Sequence, residues 1–191
     1  MSFISNLDEH LALINKIKTD NLIQSKTEAA IELVTKCLHM NKPLLVCGNG
    51  GSASDAGHIC AELVGRFQKS RRALNVICLS SNISTITAWA NDIDFSDVFA
   101  RQVEAHGCID GVCLALSTSG SSPNVCNALR KANTLGMSSI LLTGNRAGQA
   151  TELASISIEV PSCNTARVQE IHQIIYHYIC EKVEENLSNS N

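Results

Sequence analysis

Leu44-Leu45-Val46-Cys47-Gly48-Asn49-Gly50-Gly51-Ser52-Ala53-Ser54-Asp55 is a short apolar run, then a glycine turn, then small and hydroxyl residues that open a helical pattern. The run is too short for a core helix and has no polar alternation, as expected of a strand buried on both faces. The glycines let the backbone approach a ligand closely and adopt positive φ. The helix that follows aims its free amides at whatever binds there. A strand, a glycine turn and a helix in this order place the chain in the α/β class.

The same pattern repeats downstream. Apolar runs at 74–79, 112–116, 139–142 and 156–160 are each bounded by Gly, Ser or Asn and alternate with longer helical patterns. Five such runs with short connections predict a five-stranded parallel sheet between helices, a three-layer α/β/α sandwich. Upstream, Ile4, Leu7, Leu11 and Ile14, then Ile23, Ala30, Leu33, Val34 and Cys37, recur at helical spacing, predicting two helices with a break at 19–21. Residues 166–187 form a last long helical pattern. We read 1–191 as a single domain: N-terminal helices over 1–42, which pack in an oligomer, and a sandwich over 43–191. The flanking helices carry more apolar surface than a lone sandwich of this size buries, which independently points to oligomerisation.

Composition narrows the function. The 191 residues are 45% hydrophobic and 17% charged, enough for a packed core. Lys and Arg total 15 against 18 Asp and Glu, for a net charge of −3. That is no footprint for a phosphate backbone, and four Phe, two Tyr and one Trp make no base-stacking surface, so no direct nucleic-acid ligand is expected. Nine cysteines, at 37, 47, 60, 78, 108, 113, 126, 163 and 180, show no Cys-x-x-Cys spacing and lie mostly in apolar runs. They read as reduced, buried thiols of a cytoplasmic protein. No basic segment precedes an apolar core at the N-terminus and no run of 18 apolar residues occurs, so neither a signal peptide nor a membrane span is expected.

In a parallel sheet, ligands bind beyond the carboxyl ends of the strands. The first loop there, from Gly48, formally matches a dinucleotide fingerprint. The second run ends Leu79-Ser80-Ser81-Asn82, however, without the acidic residue that would hold a ribose. The second loop is Ser117-Thr118-Ser119-Gly120-Ser121-Ser122-Pro123. Ser122 and Pro123 suit the N-cap and first helical positions, yet five hydroxyls exceed what capping needs. Hydroxyls beside helix-start amides suit a phosphate monoester without Lys or Arg. His58 and Glu62 are four apart on the helix after the first loop, and so share one face. Gln169, Gln173 and His177 share a face of the last helix, with His172 and Tyr176 on a neighbouring one. If these faces meet, His58, Glu62, Gln169 and His177 can hold a borderline metal or supply a general acid and base; spacing leaves both open.

The run from Cys47 through His58, with Ala61-Glu62-Leu63-Val64-Gly65-Arg66-Phe67, Ala90-Asn91-Asp92, Leu116-Ser117-Thr118-Ser119-Gly120 and Arg167-Val168-Gln169-Glu170-Ile171-His172, resembles the sugar-isomerase (SIS) domain superfamily, and within it the phosphoheptose isomerases. The resemblance covers essentially the whole chain. It implies a flavodoxin-like sandwich and conversion of sedoheptulose 7-phosphate to a manno-heptose 7-phosphate, the first step towards ADP- or GDP-linked heptose for surface polysaccharide. It implies a homotetramer with active sites between subunits, and one zinc per subunit. Carried over by position, Ser52, Ser117, Thr118, Ser119 and Ser122 bind phosphate beside Gly50 and Gly51. Asn49, Asn91 and Asp92 lie at the sugar hydroxyls. His58, Glu62, Gln169 and His177 form the metal site, with Glu62 and Gln169 also facing substrate and the Glu62–His177 pair moving the proton.

The sequence departs from that pattern at Ala166, where an Asp is common before the Arg, at Ser121, where Asn is common, and at Ala90, where Gly is common. These changes leave the phosphate and metal sets intact and bear on sugar selectivity. One branch of the superfamily binds the bacterial replication initiator and lacks the carboxylate and imidazole at the Glu62 and His177 positions, whereas this chain keeps both. Sugar-phosphate-sensing regulators carry an added DNA-binding domain, and residues 1–42 contain no basic recognition helix. Outside these motifs, Arg71-Arg72 reads as a solvated loop pair, His10, His39 and His106 as surface residues, and Trp89 as core or subunit interface.

Overall fold

The computed structural model describes residues 2–146 and 148–188. Helix α1 (Phe3–Lys18) ends where Asp20 caps α2 (Asn21–His39), its Oδ1 accepting from the Leu22 and Ile23 amides at 2.9 and 3.1 Å. The carboxylate satisfies orphan donors at the helix start, which is why the chain breaks at the predicted position. Then follow β1 (Leu44–Gly48), α3 (Gly51–Val64), β2 (Val76–Cys78), α4 (Ile83–Asp92), a 3-10 turn (Phe95–Asp97) and α5 (Val98–His106). The chain continues through β3 (Val112–Ser117), α6 (Pro123–Thr134), β4 (Ser138–Gly144), the short α7 (Gln149–Leu153), β5 (Ile156–Val160) and α8 (Thr165–Ser188).

All five strands are parallel, in the order β2-β1-β3-β4-β5. Successive side chains enter opposite cores. Leu44, Val46, Leu114, Ile140 and Leu142 face one cluster with α1, α2, α3 and α8. Leu45, Cys47, Cys113, Ala115 and Leu141 face the other, with α4, α5, α6 and α7. The predicted three-layer sandwich is therefore present, with both sheet faces dry. The chain turns outward in opposite directions from β1, to β2 on one side and β3 on the other. That reversal opens a crevice at the carboxyl ends of β1 and β3.

Four expectations need correction. The run 74–79 yields only a three-residue strand, because the Leu74 amide donates to the Leu63 carbonyl of α3 rather than to the sheet. Not every thiol is buried: all nine are free, but Cys163 is exposed and Cys78 and Cys108 are half-buried. His10 is no isolated surface residue, since its ring bridges Glu170 and Arg167 and ties α1 to α8. Arg71 is not solvated; its side chain is 3% exposed and pairs with Glu184. Trp89 lies half-buried against the second core, with Arg101 stacked 4.7 Å above its ring.

His172 on α8 is fully buried, and neither ring nitrogen makes a hydrogen bond among the described residues. Burial pushes its pKa down to about 4. The unfolded chain therefore takes up a proton near pH 6.5 that the folded chain refuses. The neutral ring's contribution is intact above pH 6.5 and is lost as pH falls towards 4, by about 3 kcal/mol in total. Urea titrations at pH 7 and pH 4 should show this loss in the wild type, and His172→Phe should lack this component.

Candidate active site

Two loops meet in the crevice. The Asn49 and Asn124 side-chain amides exchange reciprocal hydrogen bonds at 2.8 and 2.9 Å, clamping the turn after β1 to the start of α6. Ser80 holds the same turn from the β2 side, its Oγ donating to the Gly48 carbonyl and accepting from the Gly48 amide. Gly50 adopts φ +56° at the N-cap of α3, a conformation that disfavours a side chain. A Cβ on Gly51 would come within 2.6 Å of Gln169 Nε2, so glycine there lets α8 close over the loop.

These contacts enclose a cavity of about 290 Å³. Ser52, Ser117, Thr118 and Ser122 supply hydroxyls, and Asn49 and Gln169 supply amides. Three helices begin on its wall: α3 at Gly51, α6 just after Ser122, and α8 at Thr165. Each helix start turns the positive end of its dipole towards the cavity, although several first-turn amides are already held by Asn49, Gly50, Asn124 and Asn164. No Lys or Arg is among the lining residues. Ser122 is the N-cap, as expected, but its hydroxyl makes no capping bond and lies 3.3 Å from Ser117 Oγ. Both hydroxyls thus remain available to an anion. Ser119 turns away into its own loop, accepting from Ser121, and Asn91 and Asp92 are exposed at the end of α4, bonded to each other rather than lining the cavity. Of the expected phosphate and sugar contacts, one chain therefore brings together Asn49, Gly50, Gly51, Ser52, Ser117, Thr118, Ser122 and Gln169.

A second group lies further along α3 and α8. One ligand atom each from His58, Glu62 and His177 lie within 4.8 Å of one another. His58 Nε2 is 3.1 Å from Glu62 Oε1, and the His58 and His177 rings meet edge-on at 4.9 Å. Gln169, two turns before His177, sits instead against Gly51 at the cavity. Two residues not assigned from the sequence complete the group. Tyr176 Oη lies 3.0 Å from His58 Nδ1 and donates to Asp55 Oδ1 at 3.4 Å. Tyr176 shares neither the i+4 row of His177 nor a recognisable motif, so spacing gave it no signal; Asp55 lay within the motif without an assigned role.

The donor set suits a divalent cation. When Tyr176 donates to Asp55, the His58 proton belongs on Nδ1, and the Nε2 lone pair then faces a Glu62 oxygen. A cation between them removes that repulsion, and the orienting partner on the far ring nitrogen is the usual arrangement for a metal-binding histidine. Burial lowers the His177 pKa and the neighbouring His58 lowers it further, against the pull of Glu62 and Asp55. His177 is therefore neutral at pH 7 and free to ligate or to accept a proton. Burial raises the Asp55 pKa, with Tyr176 and the two imidazoles opposing.

The SIS domain family model matches residues 7–144. A phosphoheptose isomerase from Crocosphaera subtropica is 46% identical over 160 residues, 84% of this chain and 82% of that protein. The phosphoheptose isomerase GmhA of Neisseria gonorrhoeae superposes with a TM-score of 0.88 at 33% identity, covering 95% of this chain and 96% of its own. A phosphoheptose isomerase from Francisella tularensis gives 0.88 at 34%, covering 97% and 100%. With a family match over most of its length and relatives of this identity and coverage, the chain belongs to the SIS domain family and groups within it with the phosphoheptose isomerases.

Proposed function

We propose that the protein isomerises sedoheptulose 7-phosphate to D-glycero-D-manno-heptose 7-phosphate. The observation that carries this reading is the coupling of two sites by two helices. Helices α3 and α8 both begin at the anion cavity, and both bring side chains to the His58–Glu62–His177 cluster. Ser52 to His58 is about 9 Å along α3, and Gln169 to His177 about 12 Å along α8. A long sugar phosphate anchored at its phosphate end would thus present its far carbons to the cluster.

Ketose-to-aldose conversion takes a proton from C1, passes through an enediol and returns a proton to C2, while the oxygens exchange carbonyl and hydroxyl character. Glu62 and the neutral His177 form the proton-transfer pair: one removes the C1 proton, and the other protonates the carbonyl oxygen as charge develops. Ser52, Ser117, Thr118 and Ser122, with the three helix starts, hold the phosphate and so fix which carbons reach the pair. Asn49 faces the bound sugar from the cavity wall. Ser119, Asn91 and Asp92 complete the contacts when subunits assemble. His58, Glu62 and His177 would hold zinc, which would supply Lewis-acid stabilisation of the developing oxyanion, while Gln169, the fourth ligand implied by the family, faces the anion cavity in this chain. The exposed apolar stripe of α1, with Phe3, Ile4, Leu7 and Leu11 at 45–76% exposure, supports a homotetramer with active sites between subunits. No helix among the described residues is long and apolar enough to cross a membrane. We assign the enzyme to the cytoplasm, supplying the heptose phosphate that is later activated as a nucleotide sugar for lipopolysaccharide.

Purified protein should convert sedoheptulose 7-phosphate, lose activity to a chelator and regain it with zinc. Glu62→Gln should reduce kcat by about 10²–10⁴-fold with the fold intact. Activity that survives chelation would remove the metal from the scheme, and absence of turnover in the zinc-loaded wild type would overturn the substrate. Inorganic phosphate should compete with substrate, and Ser117→Ala should weaken that inhibition by about fivefold, the worth of one hydrogen bond.

A further inference from the structure

Beyond the cluster, residues 65–75 form a strap that crosses from the end of α3 to β2. One buried ion pair holds it. Glu184, seven residues after His177 on the same face of α8, is 1% exposed. Its carboxylate accepts from three successive strap amides: Phe67 at 2.9 Å, Gln68 at 2.6 Å and Lys69 at 2.8 Å. It also pairs with Arg71 Nε at 3.1 Å.

The rest of the Arg71 guanidinium turns back onto α3. It donates to the backbone carbonyls of Glu62 at 2.8 Å, Leu63 at 2.9 Å and Gly65 at 3.2 Å. The last carbonyls of a helix have no partner within it, so this cation caps the end of the helix that carries His58 and Glu62. The carboxylate end of the pair reaches the cluster by another path. Phe67, whose amide Glu184 holds, lies with its ring 5.9 Å from that of His177. The pair therefore grips the backbone of Glu62 on one side and the neighbour of His177 on the other.

We infer that Arg71 and Glu184 are positioning residues that set the separation of Glu62 and His177, and with it proton transfer and metal affinity. Neither residue touches the anion cavity, so phosphate anchoring is independent of them. The inference rests on the isomerase reading for its catalytic arm, and its metal arm is measured with zinc alone.

The test uses Glu184→Asp, Glu184→Gln, Arg71→Lys and Arg71→Met, with Glu185→Gln as a control on the surface pair with Lys182. Each folded variant is measured for kcat, KM and zinc affinity by direct titration. Expected is a fall of about tenfold in both kcat and zinc affinity for Glu184→Gln and Arg71→Met, the usual effect of disturbing groups behind a metal site. KM should stay within about twofold, since the phosphate contacts are untouched. The two conservative variants should be intermediate and the control should match the wild type. If the drastic variants do not fold, Glu184→Asp and Arg71→Lys carry the test with the same two readouts. A lowered melting temperature with kcat and zinc affinity at wild-type values would show that the pair only holds the strap, and would overturn the inference. Loss of zinc affinity in a protein that does not turn over the sugar would keep the positioning role and refute the substrate instead.

Discussion

The reversal of direction at β1 is the constraint on which the site depends. Because β2 and β3 lie on opposite sides of β1, the loops leaving β1 and β3 diverge and leave a crevice at their carboxyl ends. Both loops enter helices there, and α8 returns across the crevice to start at the same place. The Asn49–Asn124 amide pair then prevents the loops from separating. Everything chemical in the molecule follows from this arrangement: three helix starts on one cavity, and two helices leading from it to the imidazoles and the carboxylate.

An anion held without Lys or Arg has a consequence for the chemistry. Helix dipoles and hydroxyls are fixed, so on the proposed reading they would hold phosphate without long, mobile side chains near the reacting carbons. The ionisable groups of the site are concentrated instead at His58, Glu62 and His177. There the buried environment keeps His177 neutral and the Tyr176–Asp55 link orients His58. The proposed phosphate anchor and the proposed proton-transfer pair thus lie apart along α3 and α8. The buried Arg71–Glu184 pair braces those helices where they leave the site. Breaking such a pair by removing one partner costs about 3–5 kcal/mol, because the other charge is left stranded.

Much of this was legible in the sequence. The strand periodicity survives because both sheet faces are apolar, so the runs at 112–116 and 156–160 map onto β3 and β5 almost without adjustment. The break between α1 and α2 is visible because a carboxylate cap is local chemistry. His58, Glu62 and His177 were recognisable because helical spacing and the family motif agree. The misreadings involve long-range pairing. Arg71 resembled a solvated loop residue, since nothing within ten positions reveals a carboxylate at 184. Asn124 carries no local signal in the sequence, because its partner at 49 lies 75 positions away. Tyr176 fell on what seemed a neighbouring face, and packing of α8 against α3 turned it towards His58. Ser119, Asn91 and Asp92 came from family motifs, and a single chain does not bring them to the cavity.

The most direct measurement is the fate of hydrogen when the zinc-loaded protein converts sedoheptulose 7-phosphate in deuterium oxide. The His58 and Glu62 side chains are 39% and 21% exposed, so a proton taken by this cluster is open to exchange with solvent. Nuclear magnetic resonance of the aldose product should therefore show deuterium at C2. Complete retention of the substrate's own hydrogen, with no deuterium at C2, would contradict proton transfer through a solvent-accessible Glu62–His177 pair.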